Sequence, residues 1–216
     1  MTNRLLATAT LAGTLTASVA AMVSAATPAQ AEQGPWLVRG RLLAVLPDED
    51  ATVSPLGGNL EIEDQYVPEL DITYFFDKHW AAELILAVTP HEITHTPTGL
   101  DIGEVWLLPP TLTVQYHFQP DDPDFRPYVG AGINYTIFFG HDGADPAIFD
   151  ADFDPSFGFA LQAGFDIPID EHWSINVDVK KVWINTDVQL ATGLGPVAAD
   201  VDINPLIVGV GVAYRW

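Results

Sequence analysis

Two groups of residues in this chain have types and spacings that could do chemistry. The first is His91-Glu92-Ile93-Thr94-His95, which matches H-E-x-x-H. In zinc proteases that spacing sets both histidines on one helical face, with the glutamate as base and a third ligand elsewhere. Here Pro90 and Pro97 bracket the run, and Ile93 and Thr94 are β-branched. The run follows a strand directly, so we expect a surface loop, with neither a metal site nor catalysis. The second group is a set of charges within apolar segments: Arg39 and Arg41, Glu69 and Asp71, Glu83, Asp178 and Lys180, and Arg215. Residues two apart on a strand share a face. If that face is enclosed, the opposite charges should pair, because an unpaired buried charge is costly. There is no G-x-S-x-G, no phosphate loop and no supported nucleophile–base arrangement. We therefore expect no enzyme and no cofactor.

The elements that must hold these charges are strands. Eight alternating segments fall near 36–46, 66–76, 80–88, 108–118, 125–139, 156–167, 173–184 and 203–216. Connections around 47–65, 89–107, 140–155 and 185–202 are long, whereas 77–79, 119–124 and 168–172 are short. Long loops on one side and tight turns on the other suit an all-β, eight-stranded, antiparallel up-and-down transmembrane barrel. The last strand shows the pattern most clearly. Leu206, Val208, Val210, Val212, Tyr214 and Trp216 make one apolar face, against mostly small residues on the other. Aromatic residues collect at both strand ends, Trp36, Tyr74, Trp80, Tyr116 and Trp173 among them on the short-turn side and Tyr66, Trp106, Tyr135, Phe139, Phe157 and Trp183 on the other. Rings at the ends, not mid-strand, fit two membrane–water interfaces better than a soluble sandwich core.

The N-terminus and the composition agree on compartment. A positive start ends at Arg4, an apolar run extends to about Ala26, and Ala29-Gln30-Ala31 is an A-x-A cleavage site. Residues 1–31 are read as a cleaved secretory signal peptide and 32–216 as the barrel domain. The absence of cysteine excludes disulfides, thiolate metal sites and a lipid anchor on an N-terminal cysteine. The formal charge is −21, and losing Arg4 with the leader makes it −22. So acidic a chain does not bind nucleic acid or anionic surfaces by simple attraction. Its acids concentrate in the connections, as solvated loops or as anchors for divalent-cation bridges to lipopolysaccharide.

Choosing the parity that turns lipid-compatible residues outward divides the lumen by height. Arg39, Arg41, Glu69, Asp71, Glu83, Asp178, Lys180 and Arg215 form a charged floor toward the short turns. Leu43, Val45, Val67, Ile85, Ala87, Phe138, Val182, Ile184, Ile203 and Ile207 line an apolar upper half. Eight strands enclose room for packed side chains or for one small ligand. The same residue types suit a pocket and a filled core, and the sequence leaves both open. Leu56 and Trp106 are apolar enough to fold over the mouth.

Long runs resemble the OmpW family of small outer-membrane proteins: L-D-I-T-Y-F-F at 70–76, W-A-A-E-L-I-L-A-V-T-P-H at 80–91, L-P-P-T-L-T-V-Q-Y-H-F at 108–118, R-P-Y-V-G-A-G-I-N-Y-T at 126–136 and I-N-P-L-I-V-G-V-G-V-A-Y-R-W at 203–216. The resemblance implies an outer-membrane location in a Gram-negative bacterium and passive uptake of small hydrophobic molecules through a narrow barrel. It also implies an alternative, a surface receptor for phage, bacteriocin or host ligand that acts through its loops above an inert barrel. Outer-membrane lipid, lipopolysaccharide and the barrel-assembly machinery are the expected partners, with Gly211, Tyr214 and Trp216 as the assembly signal. Trp216 stands where the family more usually ends in phenylalanine.

Overall fold

Period-two alternation of apolar and small or polar side chains runs through almost every strand, and it sets the register of the whole chain. The computed structural model describes residues 33–216 apart from 56, 97, 143, 144, 147 and 194. The expected leader at 1–31 and the expected mouth residue Leu56 lie outside the described residues.

In chain order the strands are β1 (Trp36–Leu46), β2 (Asp50–Ser54), β3 (Asn59–Ile62), β4 (Gln65–Phe75), β5 (Trp80–Ala87), β6 (Thr89–Thr96), β7 (Leu100–Leu108), β8 (Thr111–His117), β9 (Arg126–Asp142), β10 (Ile148–Phe153), β11 (Ser156–Pro168), β12 (Trp173–Val182), β13 (Asn185–Thr192), β14 (Gly195–Asp202) and β15 (Leu206–Arg215). Eight of them close into an antiparallel ring, β1-β4-β5-β8-β9-β11-β12-β15 and back to β1. Every ring neighbour is also the next ring strand in sequence, so the barrel is up-and-down. The expected segments coincide with these eight strands to within a few residues. Closure leaves no edge strand at this level.

The outward positions are apolar and exposed, as a lipid-facing wall requires: Leu42, Leu70, Leu84, Leu112, Phe159, Leu161 and Val210 among them. Edge-to-face ring contacts link the short-turn rim from Trp36 to Tyr74 and on to Phe76, from Trp80 to Tyr116 and from Trp173 to Tyr214. The three short turns share one device. Asp77, Asp122 and Asp170 each accept two backbone N–H groups from residues two and three positions on, at 2.7–2.9 Å. This is the Asx-turn geometry. In the D-K-H-W turn His79 bonds the carbonyl of His117, and in the D-E-H-W turn His172 bonds that of Arg215, both at 2.8 Å through Nδ1.

The long connections are long but not irregular. Above the membrane-level ring the chain continues as strand. One four-stranded sheet runs β3-β6-β7 and the upper end of β9, and the other runs β10-β13-β14-β2. Their inward residues, including Leu60, Ile62, Val105, Leu107, Val188, Leu190, Val197 and Val201, form one buried apolar cluster. Their outward residues are largely acids and other polar groups, with Trp106 and a few small residues among them, and that composition is what reads as loop in the sequence. Alternation with acids outside is a strand with one wet face.

Candidate functional site

The lower lumen is filled by an ionic cluster whose members come from different strands at one height. On β1, Arg39 and Arg41 point inward because Val38, Gly40 and Leu42 take the other parity. Arg39 Nη1 donates to Glu83 Oε1 and to Thr73 Oγ1, both at 2.9 Å, and its Nη2 reaches Asp166 Oδ2 at 2.9 Å. Arg41 Nε donates to Asp71 Oδ2 at 2.9 Å and lies 3.2 Å from Glu69 Oε1. Arg41 Nη2 bonds Glu83 Oε1 at 3.0 Å. Its Nη1 is 3.1 Å from Asp178 Oδ1, an ion-pair contact outside hydrogen-bond angles. Lys180 Nζ joins Glu69 Oε1 at 2.8 Å and Asp178 Oδ1 at 3.1 Å.

Three cations thus meet five carboxylates: Glu69, Asp71, Glu83, Asp166 and Asp178. Neutral donors serve the excess. Tyr128 Oη donates to Asp178 Oδ2 at 2.7 Å, Gln162 Nε2 to Glu83 Oε2 at 2.8 Å and Asn176 Nδ2 to Asp166 Oδ1 at 2.8 Å. Small residues make the space: a Cβ on Gly209 would sit 2.8 Å from Leu43 Cδ2 and 3.3 Å from Arg41 Cδ. Seven of the eight expected floor residues are brought together. Arg215 is not. It lies lower, with its guanidinium carbon 3.8 Å from the Phe75 ring centroid and Nε bonded to the Gly34 carbonyl, because it is the last strand residue before the rim. Asp166 takes the carboxylate role that complements Arg39. Sequence reasoning missed Thr73, Tyr128 and Gln162, whose inward parity was readable but whose partners on distant strands were not.

Directly above this floor is a narrow apolar cavity with room for only a few water-sized molecules between its side chains. Leu43, Val45, Ile85, Ala87, Val182, Ile184, Ile203 and Ile207 line it, and Glu69 and Lys180 form its base. Val67 instead backs this wall, packed with Leu43 and Val45. Phe138 belongs to a second, small apolar cavity, where it stacks on Phe153. His91, Leu107 and Ile203 line both spaces, so the two adjoin. Trp106 is no mouth residue. It stands on the outward parity of β7, exposed, with its indole N–H on Glu104 Oε1 and its ring beside Phe139. That is the position of an interfacial aromatic residue.

The H-E-x-x-H run lies in strand β6, not in a loop. His91 and His95 both face inward and are buried, whereas Glu92 faces out. Four residues of extended chain separate them by roughly 13 Å, too far for one zinc ion. The two rings have separate partners. His91 Nδ1 faces the Glu63 carbonyl at 3.2 Å, and His95 bonds Thr98 Oγ1 and the Gly57 carbonyl. Burial among apolar side chains lowers the His91 pKa below its ordinary 6.5. Among the described residues no group of three or more acids or histidines is placed to hold a metal ion.

Known proteins share this architecture. "Outer membrane protein W" of Vibrio cholerae is 33% identical over 211 residues, which cover 92% of this chain and 96% of that protein. "Dibenzothiophene metabolism operon protein PahQ" of Pseudomonas aeruginosa is 29% identical over 199 residues, 88% of this chain and 93% of that one. The crystal structure of the outer membrane protein OprG from Pseudomonas aeruginosa superposes with a TM-score of 0.80 at 26% identity, covering 88% of this chain and 99% of that one. The OmpW family model matches residues 32–216. The chain belongs to the OmpW family and is an outer-membrane β-barrel.

Proposed function

We propose that this protein is a passive route for small hydrophobic molecules through the outer membrane, and that it catalyses no reaction. The observation that carries this reading is the narrow apolar cavity resting on the Lys180–Glu69 pair, with an ion-paired cluster below it and mostly aliphatic walls around it. An apolar solute entering from the surface exchanges bulk water for these walls. The ion pairs block its way to the periplasm, because driving it through would break contacts that are costly to leave unmade. Its exit is sideways into the bilayer, near Pro109 and Pro205. Both prolines line the cavity, lie between strands and lack the N–H a continuous ladder needs. The relative PahQ, named for a dibenzothiophene metabolism operon, fits a hydrophobic cargo. Converting both Ile85 and Ile207 to Asp, or filling the space with Ile207→Trp, should abolish flux of an apolar dye into vesicles. Assembly is checked by the electrophoretic shift between boiled and unboiled protein. Unchanged flux in correctly assembled variants overturns the proposal.

A pattern of acids favours a second role at the surface. On the outer face of the β10-β13-β14-β2 sheet Asp187 is directly opposite Asp200, and Asp202 opposite Asp50. Like charges so placed repel, and divalent cations bridging to lipopolysaccharide would relieve them. Shortening these hairpins should then weaken lipopolysaccharide binding and leave dye flux intact. The leader at 1–31 is proposed to be removed on export, and Gly211, Tyr214 and Trp216 to be read by the barrel-assembly machinery.

A further inference from the structure

Seven lysines and arginines lie among the described residues, and five have a carboxylate within 4.0 Å: Arg39, Arg41, Lys78, Lys180 and Lys181. Arg126 and Arg215 do not. In a chain with 29 acids, that two bases lack a carboxylate partner calls for explanation. Both line the same cavity, at the short-turn end of the barrel below the ionic floor. It is a shallow recess with room between its side chains for little more than a water molecule, and Phe75, Leu37, His117 and Ser174 share its wall.

The two arginines are held in the same way. Arg126 Nε donates to the Asp122 carbonyl at 2.9 Å, and Arg215 Nε donates to the Gly34 carbonyl at 3.0 Å. Each guanidinium is thereby fixed through its inner nitrogen, and its two terminal amino groups are left for another partner. Arg215 is fixed further by the Phe75 ring beneath it. Four nearby carboxylates have other partners. Asp166, directly opposite Arg126 in the β9–β11 register, is bound by Arg39 and Asn176. Asp122 and Asp170 accept turn N–H groups, and Asp121 pairs with Lys78. Glu171 lies at the exposed lip, without an ion pair. Both guanidiniums line this one cavity, so an anion held in it could be shared between them.

We propose that the periplasmic mouth is an oxyanion-binding site, in which Arg126 and Arg215 together take a carboxylate or phosphate group presented from the periplasmic side. Two anchored guanidiniums offering paired N–H groups match the planar or tetrahedral oxygens of such a group. The group can come from a soluble anion or from a phospholipid headgroup of the inner leaflet, and the chemistry recognised is the same.

The test uses the full mature barrel in nonionic maltoside micelles, with arginine labelled for nitrogen NMR. Inorganic phosphate is titrated at constant ionic strength set with chloride. The Nε–Hε signals of Arg126 and Arg215 should move together and saturate on one curve. Arg126→Gln should weaken the curve read at Arg215 by about tenfold, the loss of one charge-assisted contact, and Arg126→Lys should weaken it less. Each variant is first shown to be folded by its heat-dependent electrophoretic shift. If phosphatidylglycerol doped into phosphate-free micelles moves the same two signals, the headgroup is a ligand. If only phosphate moves them, the site takes a soluble anion, and either result supports the site. Signals unmoved by both, or an Arg215 curve that Arg126→Gln leaves unchanged, overturn it.

Discussion

Lys180 Nζ lies 2.8 Å from Glu69 Oε1, and the pair marks the boundary between the two halves of the lumen. Both side chains are about 2% exposed, and both form the base of the apolar cavity. Below them the inward carboxylates Asp71, Glu83, Asp166 and Asp178 belong to one connected cluster with Arg39 and Arg41. Above them the first inward layer is mostly aliphatic, with Leu43, Ile85, Val182 and Ile207 beside Thr111 and Asn134. Charge in one layer and mostly hydrocarbon in the next differs from a lumen lined throughout by polar residues.

The imbalance of the cluster makes its members unequal. Five carboxylates face three cations, so neutralising a cation enlarges the excess and neutralising a carboxylate reduces it. Lys180→Met should cost about 3–5 kcal/mol, the penalty for stripping a buried charge of its partner. Glu69→Gln should cost clearly less, because it removes a charge from the side in surplus. Urea unfolding in lipid vesicles compares the two, and equal losses would contradict the electrostatic account of the floor.

The outward face should answer to a different rule. Leu84 points into lipid while its neighbours Glu83 and Ile85 point into the lumen. Leu84→Arg should destabilise the barrel by about 2–4 kcal/mol, the cost of a cation near the bilayer midplane. An Arg at Phe157, near the outer rim, should cost little by the same measure. A position-independent loss would place the bilayer elsewhere on the wall.

Much of this architecture is legible in the chain because parity is local information. Strand limits such as 36–46, the outward set and the division of the lumen into charged and apolar halves need only alternation within a segment. Partner choice does not reduce to alternation. Arg39 meets Asp166 across 127 positions of sequence, and which carboxylate it meets depends on barrel stagger. That is why alternation alone puts Arg215 in the floor and leaves Asp166 out of the pairing. The upper sheets are obscured by their acids. Asp187 and Asp200 hide the alternation of Val188, Leu190, Val197 and Val201, and the prolines around His91 suggest a loop where β6 runs straight. The repeated D-x-H-W at 77–80 and 170–173 is a readable sign of the turn device.

The upper sheets should behave as a packed layer and not as loops. Leu190 lies in their common core. Leu190→Ala should cost that layer about 2–4 kcal/mol, within the usual range for a buried leucine. The effect should be local: extracellular protease should cut the variant faster on intact cells, while the membrane-level barrel keeps its heat-dependent electrophoretic shift. Unaltered cleavage would mean that the two sheets do not support each other.

The turn aspartates carry the pH dependence. In Asp77, Asp122 and Asp170, hydrogen bonds from two backbone N–H groups hold the carboxyl pKa below its ordinary 3.8. A group whose folded pKa is depressed adds stability above its unfolded pKa and loses it as pH falls through the folded one. The contribution of these aspartates should therefore be constant from pH 7 down to about 4, then be lost as protonation removes the acceptors. Exchange of the N–H groups of Trp80, Phe125 and Trp173, followed by NMR across that range, reads this directly. With Asp77, Asp122 and Asp170 all changed to Asn, the acid-induced acceleration should disappear, because an amide oxygen accepts at every pH in the range. Acceleration that persists in the triple variant would assign the acid sensitivity to some other carboxylate.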